Sequence, residues 1–273
     1  MIIHRIFRKA GWYLEALSWL FAAPLFRWLL KLRDPVGITI GVTTYKDRYS
    51  GYLKPLLSKL HNLFPKDQII IIANGHYQER DQEAYISELN RYCKRFDNAE
   101  VESYTEPRGL SFLWNRILHR ARYGNVLILN DDIMIKSGFR RFIAQKKFMD
   151  ASIVLINNSF SHFKITVRVP EKIGYFDEGF REIGGEDDDY LARLAMAGVS
   201  VESLTTGTVA GRKTRKSMNR VNSYGKVMSE ERGGYSTLNT EYLESKWIMS
   251  DTYFEGAINV PYRTPKYWKL KNN

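Results

Sequence analysis

The chain has 273 residues, 44% hydrophobic and 26% charged, with only 19 Gly and 8 Pro. That composition excludes a collagen-like, low-complexity or wholly disordered chain, and the length suits one large domain or two small ones. The net charge of +11 is unevenly placed: six Lys/Arg stand against Glu15 in residues 1–33, 23 basic against 23 acidic residues in 34–211, and seven against two in 212–232. A nucleic-acid binder would more often spread basic residues over its folded body. A neutral body with charged flanks points instead to an anionic membrane surface or a phosphorylated ligand, with no nucleic-acid partner expected. The single cysteine, Cys93, excludes an intramolecular disulfide framework and any multi-cysteine metal site, and it fits a reducing compartment.

In residues 1–33, Ile3, Ile6, Phe7, Ala10, Leu14, Leu17 and Phe21 fall on one half of a helix at about 100° per residue. His4, Arg5, Arg8, Lys9, Glu15 and Ser18 fall on the other half, with Trp12 and Trp19 on the polar side. Pro24 breaks or kinks the run, and Arg27, Lys31 and Arg33 close it. Ala16 to Phe26 is the longest stretch without a charge, short of the roughly 20 apolar residues a spanning helix needs. A secretory signal fits less well, because apolar sequence resumes after Pro24 with no polar exit behind a cleavage site. The segment reads as an interfacial helix docked on anionic lipid, ahead of an amphipathic helix packed on its own domain.

From Pro35 the pattern alternates. Val36–Thr43, Gln68–Ala73, Ala99–Tyr104 and Asn125–Leu129 read as strands, and Tyr52–Leu63, Arg80–Phe96 and Ser111–Arg122 as helices. Continuous apolar strands between helices predict an α/β protein with a mostly parallel sheet covered on both faces. Ligands in such sheets bind beyond the carboxyl ends of the strands. Thr43-Thr44-Tyr45, Asn74-Gly75 and Asn130-Asp131-Asp132 are predicted to converge there.

Two acidic clusters carry the candidate chemistry. Asp131-Asp132 follows a buried strand, and adjacent carboxylates there suit a hard divalent cation bridged to phosphate, although Asn and Asp also favour turns for their own sake. Gly184-Gly185-Glu186-Asp187-Asp188-Asp189 precedes Tyr190–Ala195, whose Leu191, Leu194 and Ala195 suit a core-packed helix, so the four acids are predicted at its N-cap and first turn. Acids stabilise a helix start, but four in a row exceed what capping requires and repel one another, which would raise the proton affinity of each.

Taken together the motifs resemble nucleotide-sugar glycosyltransferases of the GT-A fold, close to glycosyltransferase family 2. The matching segments are Gly37–Thr44, Arg108-Gly109-Leu110-Ser111 leading to Asn115, Ile128–Ile133, Gly174–Phe180 and Gly184–Leu194, in that order over about residues 37–200. The Gly-Gly-Glu-Asp-Asp-Asp run is also similar to the acceptor-site motif of β-1,4-galactosyltransferases. The resemblance implies that Asp132 is the metal-binding acid of an Asp-X-Asp motif, joined to the donor diphosphate through Mn²⁺ or Mg²⁺. It also implies that Asp131 lies near the ribose, with Asn130 standing where many relatives have the first Asp. It further implies that Asp187 is the general base of an inverting transfer and that Glu186 orients the acceptor. Thr43, Tyr45, Arg48, Asn74 and Arg108 are candidate nucleoside and phosphate contacts.

One departure stands out. Many relatives place a further metal ligand, often His, after the acidic helix, yet no histidine follows His162. Either Asp132, diphosphate and water hold the metal, or Arg212, Lys213, Arg215 and Lys216 help neutralise the leaving group, on a basic loop that also suits a lid. The expected organisation is a membrane-docking segment at 1–33, a GT-A catalytic core at 34–211 and a basic extension at 212–273. The expected protein is a peripheral enzyme on the cytoplasmic face of the cell membrane, acting on a glycan acceptor carried on a polyprenyl lipid. The alternatives are a nucleotidyltransferase, which offers no role for the acidic helix start, and a non-catalytic membrane-bound glycan- or nucleic-acid-binding module.

Overall fold

A computed structural model describes residues 37–76, 81–182, 184–211, 237–248 and 269–270. The amphipathic segment 1–33 and the basic run Arg212–Lys216 lie outside the described residues.

The first half of the chain alternates as its apolar pattern predicts. Strand β1 (Ile38–Thr44) runs through a 3-10 turn (Lys46–Arg48) and a π turn (Tyr49–Leu53) into α1 (Lys54–Leu63). Then come β2 (Gln68–Ala73), α2 (Gln82–Cys93), β3 (Ala99–Ser103), α3 (Leu110–Arg120) and β4 (Asn125–Asn130). The helix predicted from Tyr52 starts at Lys54, with Pro55 in its first turn, where a missing N–H costs nothing. In β2 the four isoleucines Ile69–Ile72 are completely buried, each contributing roughly 1.5–3 kcal/mol of apolar burial. Such a strand is stable only with both faces covered.

The second half is more irregular. It contains β5 (Ile133–Ile135), α4 (Phe139–Ile143), α5 (Lys146–Asp150), β6 (Ile153–Ile156), β7 (Ser159–Thr166), α6 (Arg168–Ile173), α7 (Glu186–Met196), β8 (Val201–Leu204) and β9 (Val209–Gly211). Three elements complete the set: α8 (Thr237–Lys246), β10 (Trp247–Ile248) and β11 (Lys269–Leu270). The β6–β7 hairpin turns through Asn157 and Asn158, both at positive φ (54° and 56°), which Asn tolerates better than most residues.

Seven strands form one sheet in the order β3-β2-β1-β4-β7-β6-β8, and β5 pairs with β9 in a small separate sheet. All neighbours are parallel except those of β7, which runs against both β4 and β6. The carboxyl ends of β1, β2, β3 and β4 therefore share one edge, as the sequence predicts. One sheet face packs Leu57, Leu60, Tyr85 and Leu89 of α1 and α2. The other packs Leu113, Trp114, Ile117 and Leu118 of α3 with Tyr190, Leu191 and Leu194 of α7. No helix among the described residues is long and apolar enough to cross a membrane.

Candidate active site at the strand ends

At the end of β4, Asp131 is buried at 1% exposure, while Asp132 keeps 34% of its side chain exposed. Asp131 accepts a hydrogen bond from Thr44 Oγ1 at 2.7 Å and one from Arg48 Nη1 at 2.8 Å. The same Arg48 nitrogen lies 3.2 Å from Asp132 Oδ2. Burial pushes the Asp131 carboxyl up to about 6, against the opposing pull of Arg48 and Thr44. The outward carboxylate, Asp132, is the one the resemblance assigns to the metal. Thr43 pairs in register with Asn130, placing both on the same edge. It is the next residue, Thr44, that bonds Asp131; alternation along a strand sends neighbouring side chains to opposite faces, and the run Thr43-Thr44 does not say which face holds the acid.

Tyr45 and Arg48 stay beside this cluster. The Arg48 guanidinium lies 5.3 Å from the Tyr45 ring centroid, and His76 stacks on that ring at 6.2 Å. Asn74, at the end of β2, has a different geometry: its Oδ1 accepts the amides of Gly75 and Arg108, and its Nδ2 donates to the Arg108 carbonyl. Asn74 thus ties the β2 end to the loop entering α3. The Arg108 guanidinium pairs with Glu106 at 3.2 Å and lies over Phe112.

That loop carries the acidic run to the same edge. The Leu110 amide meets the Glu182 carbonyl at 3.4 Å, and a Cβ on Gly109 would collide with the backbone of Phe180. Asn115 holds the approach by donating to the Phe176 carbonyl and Glu178 and accepting the Phe176 amide. The chain enters α7 through Gly185 at φ +87°, a left-handed conformation that favours glycine. Gly185 is the N-cap, so all four acids stand inside the helix rather than one of them capping it.

Exposure separates these acids. Glu186, Asp188 and Asp189 are buried at 3%, 9% and 0%, and Asp187 is the one left part-exposed. Burial raises the Asp187 carboxyl, opposed by the amides of Asp187 and Asp188. Removal from water, rather than the repulsion of neighbouring acids expected from the sequence, is the larger cause here. At Glu186 burial also comes first, Asp187's charge adds to it, and the carboxyl rises well above its usual range. Glu186 Oε2 has no hydrogen-bond partner among the described residues.

Two positions that sequence reasoning did not mark stand near these groups. His162 on β7 lies opposite Leu129, two residues before Asp131, and its buried Nδ1 has no hydrogen-bond partner among the described residues. Burial lowers its pKa while the charge of Asp132 opposes that shift. Lys246 pairs with Asp177 and Asp189. Only strand register reveals the first, and only tertiary docking the second. No group of three His, Cys, Asp or Glu side chains suited to a metal assembles among the described residues. The half-exposed Asp132 at the strand end suits an ion shared with a bound ligand better than one enclosed by protein ligands alone.

No protein-family model matches the sequence, and no curated protein does. Among solved structures, the chain superposes on GalNAc-T7 with UDP, GalNAc and Mn²⁺ at a TM-score of 0.53, with 10% identity over 65% of this chain and 44% of that one. It superposes on TarS of S. aureus at 0.50, with 14% identity over 64% of this chain and 36% of that one. A mannosyltransferase of Pyrobaculum calidifontis, in complex with GDP-Man and Mn²⁺, gives 0.48, with 16% identity over 74% and 68%. The chain therefore spans less than half the length of the GalNAc-T7 and TarS structures. It has the GT-A fold of nucleotide-sugar glycosyltransferases, a mostly parallel sheet flanked by helices.

Proposed function

We propose that the protein is an inverting glycosyltransferase that moves a sugar from a nucleotide-sugar to a glycan acceptor, with Asp187 as the general base. The observation that carries this reading is the acidic helix start: of four consecutive acids, Asp187 is the least buried, and desolvation raises its proton affinity, as a general base requires. In this reading Asp187 takes the proton of an acceptor hydroxyl as the oxygen bonds to the anomeric carbon. The bond from that carbon to the diphosphate breaks on the opposite face, so the configuration inverts. Glu186, buried beside it, orients the acceptor.

Thr44 and Arg48 hold Asp131, and through it the β4 end from which Asp132 projects. Tyr45, Arg48, Thr43 and Asn130 form the donor side, with Asn74 shaping its wall; Asp131, expected near the ribose, is instead buried behind them and holds Arg48. Mn²⁺ or Mg²⁺, when bound at Asp132, would neutralise charge on the departing diphosphate. Asp132→Ala is expected to weaken nucleoside-diphosphate binding sharply in Mn²⁺, because the remaining carboxylates then repel the diphosphate. Calorimetry across the common nucleoside diphosphates, with Mn²⁺ and with chelator, tests this. Equal affinity in both conditions, for wild type and variant alike, would transfer the neutralising role to Arg212, Lys213, Arg215 and Lys216.

The same proposal places the enzyme peripherally on the cytoplasmic face of the cell membrane, with a polyprenyl-linked glycan as acceptor. Its support is the amphipathic pattern and the charge of residues 1–33. Juxtamembrane cations contribute about 1 kcal/mol each on an anionic leaflet. Removing residues 1–33 is expected to abolish co-sedimentation with anionic liposomes while leaving a folded body active on a soluble acceptor. Full-length protein remaining in the supernatant would refute membrane docking.

A further inference from the structure

The acidic run is gripped by residues from far along the chain. Lys246 Nζ lies 2.6 Å from Asp177 Oδ2 and 2.6 Å from Asp189 Oδ1. Trp247 Nε1 donates to the same Asp189 oxygen at 2.9 Å, and Arg193 Nε to the other at 2.9 Å. Tyr242 donates its hydroxyl to Asp177 at 3.0 Å. Asn239 closes the turn between them: its Nδ2 donates to the Gly184 carbonyl at 2.8 Å, and its Oδ1 accepts the Glu182 amide at 3.2 Å. Leu243 and Trp247 pack with Phe180 and Ala192, and Tyr242 sets its ring edge-on to Phe180.

These contacts bracket the Gly184–Gly185 turn from both sides. Burial pushes the Asp177 carboxyl up, but Lys246, the Gly179 amide and Tyr242 outweigh it and hold it below the usual carboxylate range. Asp189 is completely buried, with both oxygens engaged. Residues two apart on a helix are rotated by about 200°, and so face nearly opposite sides of it. Anchoring Asp189 inward therefore turns Asp187 outward.

We propose that Thr237–Ile248 is a strap that sets the rotation of α7, with Lys246 as the positioning residue that keeps Asp187 facing the acceptor. The inference rests on Asp187 being the base. Residues 237–248 thereby close the rear of the acidic motif.

The test compares full-length wild type, Lys246→Met and Lys246→Arg by amide hydrogen exchange and by steady-state transfer from a nucleotide-sugar. In Lys246→Met, the amides of Gly184–Tyr190 are expected to exchange about 10-fold faster while the central strands keep their protection. kcat is expected to fall about 10-fold or more, the scale of a misplaced catalytic group, with donor KM within about twofold. Lys246→Arg, which can still bridge two carboxylates, is expected to restore most of both. Unchanged exchange over Gly184–Tyr190, faster exchange with unchanged kcat, or no recovery in Lys246→Arg would each overturn the strap. If Lys246→Met does not fold, Trp247→Phe, which removes one donor to Asp189, should give the same pattern more weakly, and wild-type exchange and kcat there would overturn it. Absence of transfer by the wild type from every donor sinks the glycosyltransferase reading itself, and the exchange comparison then decides the strap alone.

Discussion

Asp187→Asn is expected to reduce transfer by about 10²-fold or more while leaving donor affinity and fold intact, the scale of a lost general base. The replacement is nearly isosteric, and its side-chain oxygen can still accept the Asp188 amide that Asp187 Oδ1 accepts at 3.1 Å. Stability gives a second readout with a defined sign. Burial raises the native proton affinity of Asp187, so the folded state binds more protons than the unfolded one between the two pKa values. Wild-type stability therefore declines as pH rises through that window, and the asparagine variant lacks this contribution. Its melting temperature above neutral pH should equal or exceed that of wild type. Transfer at the wild-type rate by the purified variant would exclude Asp187 as the base.

Arg48→Met should produce the largest loss of stability among single changes at the site. It leaves the buried Asp131 carboxylate with Thr44 but without its cation, and breaking a buried pair from one side typically costs about 3–5 kcal/mol. The loss should depend on pH. Wild-type Asp131 titrates at about 6 when folded, against an unfolded value of about 3.9, so the folded state already binds the extra proton across that interval and loses stability as pH rises through it. Without Arg48 the folded value moves higher, extending the decline upward. Near pH 5 the carboxyl is largely protonated in both proteins and little charge is left unpaired. Urea unfolding at pH 5 and pH 8 checks this: the variant should lose far more at pH 8. Equal losses would mean that Arg48 stabilises by packing over Tyr45 rather than through Asp131.

Much of the molecule was legible without coordinates. The β-branched run Ile69–Ile72 cannot be stable unless both faces are covered, so it announces a buried parallel strand, and strands of that kind send their polar ends to one edge. The helix after Gly185 was legible for a similar reason: Leu191 and Leu194 share a face one turn apart, and the acids ahead of them suit the positive end of the helix dipole. Boundaries moved by one to three residues, as in the π turn that delays α1 to Lys54 and the end of α2 at Cys93 instead of Phe96.

What the sequence determined by itself was the α/β class, the shared strand edge and the residue types gathered there, because apolar periodicity and turn chemistry act over a few residues at a time. Tertiary structure decided which of those residues are exposed. Asp131 and Asp132 are adjacent in sequence, yet one is sealed by Thr44 and Arg48 and the other opens to solvent. Four consecutive acids divide into buried and accessible because Asp189 meets Arg193, Lys246 and Trp247, the last of them 58 positions further along the chain. The reversal of β7, which brings His162 beside the acidic strand end, likewise follows from a register between strands separated by β5, two short helices and β6. Burial and charge pairing depend on every group within a few ångströms, whatever its distance along the chain, and that neighbourhood exists only once the chain has folded.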